Sequence, residues 1–392
     1  MIKRIVKILL SVVLAVVVVA ALVFFFILPA KVERDRNQVL QPAPYKASVQ
    51  AMSLHKKLLV ADLHADSLLW GRNLNERATQ GHVDVPRLIE GNVALQIFGV
   101  VTKTPRNQNI ESNDDTTDNI LPLSIAQRLP VRTWTSLKER ALYQAFRLHQ
   151  MANDSNGKLV FVQTKSDLGK FLERRKQDPN IVAGMLAIEG AHVLEGDPAN
   201  VDVLFNSGFR MMSPAHFFDS EMSGSAHGVK KGGLTDKGKE MIRRMEEKRM
   251  IVDIAHASQQ AIDDILKMTT RPIVVSHTGV KGTCNNTRNL SDEQLKAIAS
   301  KGGLVGIGYW DTAVCGYDAN AIAKAIRYAA NLIGVEHIAP GSDYDGAVAV
   351  PFDTTGLVLI TDALIQEGFT NEDVAKIMGE NQMKFLSENL PD

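Results

Sequence analysis

The chain has 392 residues, of which 45% are apolar and 22% charged, and its 44 Lys+Arg are balanced by 44 Asp+Glu. Zero formal charge argues against a nucleic-acid or polyanion binder, which needs dense positive charge. Two cysteines exclude a disulfide-rich scaffold and any cysteine-built zinc cluster, so a metal site here must be made of His and carboxylates.

The first element is an uncharged run from Ile8 to Ala30. As a helix it reaches roughly 34 Å, enough to cross a hydrocarbon core of about 30 Å. Its exit, Ile27-Leu28-Pro29-Ala30, makes a poor cleavage site, so residues 1–30 read as a membrane anchor, with a signal sequence as the alternative. Lys3, Arg4 and Lys7 before the span are matched by Lys31, Arg34 and Arg36 after it, which leaves orientation undecided by charge. Residues 31–52, with Pro42 and Pro44, read as a linker to a domain over 53–392.

From residue 58 onward short apolar runs alternate with helical patterns. The runs cover 58–66, 93–101, 181–190, 209–216, 250–258, 272–279, 303–310 and 337–346. Near-continuous apolar strands imply burial on both faces, as in a parallel sheet covered by helices. Thr235 opens a charged helix, Ser291 with Gln294 forms a capping box, and Thr370 opens a last helix. Eight such repeats predict an α/β fold, a (β/α)8 TIM barrel preceded by one transmembrane helix. A doubly wound open sheet is the runner-up, although no G-x-G-x-x-G or Walker loop follows any strand. The interval 102–180 is too long for one crossover, and its polar front half reads as a surface loop near the barrel mouth.

The C-terminal ends of barrel strands share one rim, so residues distant in sequence meet there. Six of the eight runs close on ionisable side chains: His64 and Asp66, Glu189, His216, His256, His277 and Asp343. Four of the ten histidines end apolar strands in this way. Burying so many ionisable groups is costly unless a cation compensates them. Imidazole and carboxylate suit zinc, and the set is too large for one tetrahedral ion with an open position. It suffices for two ions bridged by Glu189 and a hydroxide, which is equipment for hydrolysing an amide.

At these residues the chain resembles the membrane dipeptidase (renal dipeptidase) family of the amidohydrolase superfamily. The matching stretches are VADLHADSLLW, LAIEGAHVLEG, NSGFRMMSPAH, VDIAHAS, PIVVSHTGVKGTCNNTRNLSD and GSDYDG, spanning 60 to 346. Val201, Phe205 and Phe209 depart from the family pattern as packing changes, and no ligand position is lost. The resemblance implies two zinc ions per chain, one held by His64, Asp66 and Glu189, the other by Glu189, His256 and His277, with Glu189 and a water or hydroxide as bridge. It implies that His216 faces the substrate carbonyl, Arg288 binds a dipeptide's terminal carboxylate, and Asp343 shuttles the proton. Asp345, two residues on, is the rival for that last role. His192, Asp253 and Ser276 sit beside ligand positions as candidate orienting groups, while His55, His82, His149, His227 and His337 read as surface or core.

Barrel order sets the loops bearing Cys284 and Cys315 side by side, and the resemblance implies a disulfide between them; two buried free thiols are the alternative. A disulfide needs an oxidising compartment, which places the catalytic domain on the outer, periplasmic or extracellular, side. The resulting expectation is a binuclear zinc dipeptidase acting on unblocked dipeptides, including those with a D-residue at the C-terminal position. The alternatives are a metal-dependent hydrolase of a cyclic amide such as a β-lactam, or of a lactone, and a catalytically silent membrane-tethered accessory protein. The expected partners are a dipeptide and, through residues 8–30, a membrane. No nucleic acid is expected, and a homodimer is left open.

Overall fold

The computed structural model describes residues 2–392. A continuous helix, Ile2–Arg36, comes first, and its apolar side chains up to Leu22 are exposed along the whole length. It is the helix among the described residues that is long and apolar enough to cross a membrane. Pro29 has no N–H to offer the preceding turn, and the helix opens to π spacing over Val23–Ile27, just ahead of it.

The rest is a parallel barrel of strands β1 (Val60–Ala65), β2 (Val93–Val101), β3 (Leu159–Phe161), β4 (Val182–Glu189), β5 (Phe209–Met212), β6 (Ile251–Val252), β7 (Val274–Thr278), β8 (Leu304–Ile307) and β9 (Ile338–Pro340). The ladders run β1-β2-β4-β5-β6 and β7-β8-β9. Single bridges close the ring at Asp253–Val274 and Ala65–Tyr344. All eight expected strands are present. β3 is additional: it pairs with the first three residues of β4, before β5 takes over that edge. Three residues are too few to show a period, which is why the sequence concealed it.

Side chains alternate between two apolar layers. On β4, Ala183, Met185 and Ala187 join the inner cluster, whereas Val182, Leu186 and Ile188 pack outward under the helices. Glu189 continues the inward set by parity. On β1 strict alternation would aim Ala61, Leu63 and then Ala65 inward. The register instead slips between Asp62 and Ala65, where three residues of β1 advance against two of β2. This bulge sends Ala65 outward and turns His64 and Asp66 to the inside, against Gly99.

The expected caps are in place: Ser291 and Gln294 form a capping box, and Thr235 accepts the Gly238 N–H. The last helix is not continuous. It starts at Thr370 but breaks at Gly379, where a Cβ would lie 1.6 Å from the Leu59 carbonyl oxygen, and resumes as Asn381–Asn389. The stretch 31–52, expected as a linker, is bound to the barrel along much of its length. Val39 bridges Val350, the Asn37 side chain accepts the Ala347 N–H, and the Ser48 hydroxyl donates to Asp362.

Candidate active site

The rim above β1, β4, β5, β6, β7 and β9 gathers His64, Asp66, Glu189, His216, His256, His277 and Asp343, each between 1% and 9% exposed. His64 and Glu189 lie at strand ends, and His277 is within β7. The other two histidines were expected to close strands; both stand in loops beyond them. β5 stops at Met212, four residues before His216. β6 stops at Val252 because the Asp253 carboxylate then accepts the Ala255 and Ser276 N–H groups and diverts the chain. That turn leaves His256 at φ 62°, and Asp343 beyond β9 stands at φ 61°. Left-handed backbone at two non-glycine residues is strain of the kind concentrated at functional sites.

Glu189 is the hub. Its Oε1 lies 2.9 Å from His256 Nε2 and 3.3 Å from His277 Nε2. Its Oε2 lies 3.4 Å from His216 Nε2 and 3.7 Å from His64 Nε2. His64 Nε2 in turn sits 3.3 Å from Asp66 and 4.0 Å from Asp343. Three overlapping sets of donors result: His64 with Glu189 and His277, Glu189 with His216 and His256, and His64 with Asp66 and Asp343. His216 therefore shares the donor cluster rather than standing apart from it.

These groups do not satisfy one another. Neither ring nitrogen of His64 has a hydrogen-bond partner, nor does Asp66 Oδ1, nor Nδ1 of His216 or His256. His256 and His277 point their Nε2 atoms at each other across 2.9 Å. Buried polar atoms are nearly always paired, so an unpaired, converging set of nitrogens and carboxylate oxygens fits a cation of zinc's type. Protonation behaves consistently. Burial, reinforced by the charges of Asp66 and Asp343, pushes the Glu189 carboxyl well up, and burial likewise lifts Asp343 to about 8. Burial drives His216, His256 and His277 well down. At His64 burial also acts downward, but Asp66 and Glu189 overcome it and bring the ring up to about 10. The cluster thus retains protons that a cation would displace.

Orienting contacts surround it. Ser276 Oγ lies 2.9 Å from His277 Nδ1, and Thr102 Oγ1 lies 3.0 Å from His192 Nε2. Gly190, at φ 95°, lets the chain pass where a Cβ would lie 2.9 Å from that of His216. Arg288 donates to the His277 carbonyl at 2.7 Å and lies over Trp310. Among the described residues it makes no ion pair although it is buried, and that burial lowers its pKa. It is a cation waiting for an anion. The two rival aspartates differ in their partners. Asp345 is held by Arg72, by Ser67 Oγ at 2.6 Å and by the His82 N–H at 2.6 Å, whereas Asp343 faces the cavity.

Cys284 and Cys315 are joined in a disulfide. Asn289 reinforces the same junction, donating to the carbonyls of Cys284 and Ala313. The loop that presents Arg288 is therefore fastened to the loop after β8. Asp66, Glu189, His216, His256, Arg288 and Asp343 open into a cavity of about 910 Å³, also lined by Thr104, Ile110, Ile120 and Leu123 of the 102–180 interval. His227, read from the sequence as surface or core, lines the cavity. His227 stacks on Phe217, and its Nδ1 lies 2.7 Å from the Ile110 carbonyl, leaving Nε2 buried without a partner. No apolar strand precedes it, so the strand-end pattern could not single it out. The Ser-Ala-His-Gly turn at 225–228 was the available signal.

Residues 48–390 match the sequence profile of a family described as membrane dipeptidase (peptidase family M19). Dipeptidase aclJ of Aspergillus oryzae is 25% identical over 378 residues, covering 89% of this chain and 84% of its own. Among solved structures, the probable dipeptidase PvdM from Pseudomonas aeruginosa superposes with a TM-score of 0.71 at 17% identity, over 87% of this chain and 98% of that one. A metallo peptidase from Rhodobacter sphaeroides, solved with a phosphinate mimic of L-Ala-D-Ala, gives 0.68 at 21% identity, over 85% and 99%.

Proposed function

The chain belongs to the membrane dipeptidase family, peptidase family M19, a family of metallo-dipeptidases, and from that premise we propose a binuclear zinc enzyme that hydrolyses unblocked dipeptides at the Glu189 cluster. The observation that carries this reading is the placement of Glu189, whose two oxygens each face two imidazoles in a buried set that leaves His64 and one oxygen of Asp66 without partners. In the proposal His64, Asp66 and Glu189 hold one ion and Glu189, His256 and His277 the other. When bound, such ions supply a polarised peptide carbonyl and a more acidic attacking water.

The chain's own residues have the remaining tasks. Arg288 receives the substrate's terminal carboxylate on its guanidinium fork, for which the lack of an internal ion pair is the support. Neutral His216, its pKa held down by burial, donates a proton-bearing nitrogen to the carbonyl oxygen as negative charge develops there. Asp343 takes the proton of the attacking water on its carboxylate and delivers it to the amine nitrogen as the C–N bond breaks. The family likeness to an enzyme crystallised with an L-Ala-D-Ala mimic supports acceptance of a D-residue at the C-terminal position. The disulfide supports placing the domain, over 53–392, on the oxidising outer side of a membrane anchored through 1–30.

Metal analysis of the full-length, detergent-solubilised protein, with a panel of free and C-terminally amidated dipeptides, β-lactams and lactones, tests this. Two zinc ions per chain and a loss of about 100-fold in kcat/KM on amidation are expected, as for a charged pair removed from a buried site. Equal turnover of free and amidated substrates would remove Arg288 from the mechanism. Turnover of the cyclic amides or lactones alone would favour that other substrate class.

A further inference from the structure

We propose that the membrane-exit helix Leu28–Arg36 is a wall of the substrate cleft and selects the dipeptide's side chain, favouring an acidic one. The proposal rests on the dipeptidase reading of that cleft. Leu28, Lys31, Val32, Asp35 and Arg36 all line the cavity that contains Glu189, Arg288 and Asp343. Their spacing, i, i+3, i+4, i+7 and i+8, is one face of a helix. The cleft therefore has a side built by residues outside the region that matches the family, which begins at residue 48. This wall belongs to this chain's own N-terminal extension, and a difference in specificity is what it can supply.

The wall is fixed. Glu33, on the opposite side of the helix, is buried and paired with Arg72, and Gln80 donates to its other oxygen at 2.9 Å. Arg72 simultaneously holds Asp345. Below the helix the chain continues as a short parallel pairing with the loop after β9, Leu40 N–H to the Val350 carbonyl and Val350 N–H to the Gln38 carbonyl, both at 2.9 Å. Above it, Arg128 lies over the Phe26 ring. Of the five wall residues, Lys31, Val32, Asp35 and Arg36 lie beyond residues 1–30.

Size and charge give the wall its selectivity. About 910 Å³ is near the upper end for small-molecule sites, so a substrate held by Arg288 beside Glu189 leaves space toward the helix for a side chain. Val32 contributes an apolar, half-buried surface there. Lys31 is paired with Asp35, whereas Arg36 makes no ion pair among the described residues. Arg36 is the free charge of this face and attracts a carboxylate.

The test uses the full-length chain in detergent, with free dipeptides carrying glycine, aromatic, acidic or basic side chains. Val32→Trp is expected to raise KM for aromatic dipeptides about tenfold while Gly-Gly stays within twofold, a steric effect of the size of one filled subsite. Arg36→Glu is expected to lower kcat/KM for acidic relative to basic dipeptides about fivefold through KM, with kcat held, as befits a partly screened charge. Uniform changes across the panel, or none, in both variants overturn the proposal. A wild-type chain that cleaves no dipeptide defeats the dipeptidase reading instead, and that result is visible without either variant.

Discussion

Proton affinity at single residues controls when this site can accept metal. His64 is drawn up to about 10 and Asp343 to about 8, so both carry protons at neutral pH before a cation enters. Asp343 normally titrates near 3.8. Between about 4 and 8 Asp343 of the metal-free fold therefore holds a proton that the unfolded chain has lost, and this term makes stability fall as pH rises. Zinc must displace those protons, so its affinity rises in the same interval. The increase in Tm on adding zinc to chelator-treated protein should be larger at pH 8 than at pH 5.5; an equal or smaller increase at pH 8 contradicts the proton count. His82 runs the opposite way. Burial lowers it to about 4, so its contribution is full above about 6.5 and is lost as pH falls toward 4. Replacing His82 with Asn should flatten the decline of the urea midpoint between pH 6.5 and pH 4, although the Asp345 N–H loses its acceptor. On the proposed binuclear reading, Asp343→Asn should retain its metal content and lose about 1,000-fold in kcat, the scale of a missing general acid–base group. A loss of metal in that variant would assign Asp343 to coordination instead.

At the scale of elements, the β1 bulge and the disulfide-bonded loops do the positioning. The bulge works because β2 offers Gly99 opposite it, where a Cβ would lie 2.5 Å from Asp66 Oδ1 and 2.6 Å from His64 Cε1. Gly99→Ala should leave the circular dichroism spectrum unchanged and weaken zinc binding at least about tenfold, as for disturbed support of metal ligands. Unchanged zinc affinity would mean that the two side chains can retreat without cost. The Cys284–Cys315 bond closes a loop with a sequence separation of 31 around Arg288. In the chain-entropy model its removal costs about 3–5 kcal/mol. Cys284→Ser should lower Tm accordingly and raise KM for free dipeptides more than for amidated ones, since the loop proposed to bind the carboxylate is what loosens.

Across the whole molecule, the apolar N-terminal helix, the docked segment after it and the barrel form a connected path to the candidate active site. Residues 33 to 48 meet the barrel at Arg72, Ala347, Val350 and Asp362, so the cleft is held close to the end of the long apolar helix. Both cysteines are committed to one bond, which supports the proposed oxidising milieu for the domain. Thiol titration of denatured, unreduced protein from its native host should find no free thiol. Two free thiols would place the domain on the reducing side.

The barrel, its eight strands and the identity of the rim residues were legible in the amino-acid order, because strand burial forces long apolar runs and function forces polar residues to interrupt them. Glu189 and His64 could be found from that conflict alone. What the order could not express was distance between segments that meet only after folding. The bulge that turns His64 inward depends on a register with β2, the commitment of Asp345 depends on Arg72, and the exposure of His227 to the cavity depends on Ile110. The same holds for residues 31–52. Their prolines and charges resemble those of a free linker, and only tertiary contact with Arg72 and the loop after β9 makes them part of the cleft. Local pattern reports which face of an element is buried; which neighbour buries it is decided by the three-dimensional packing.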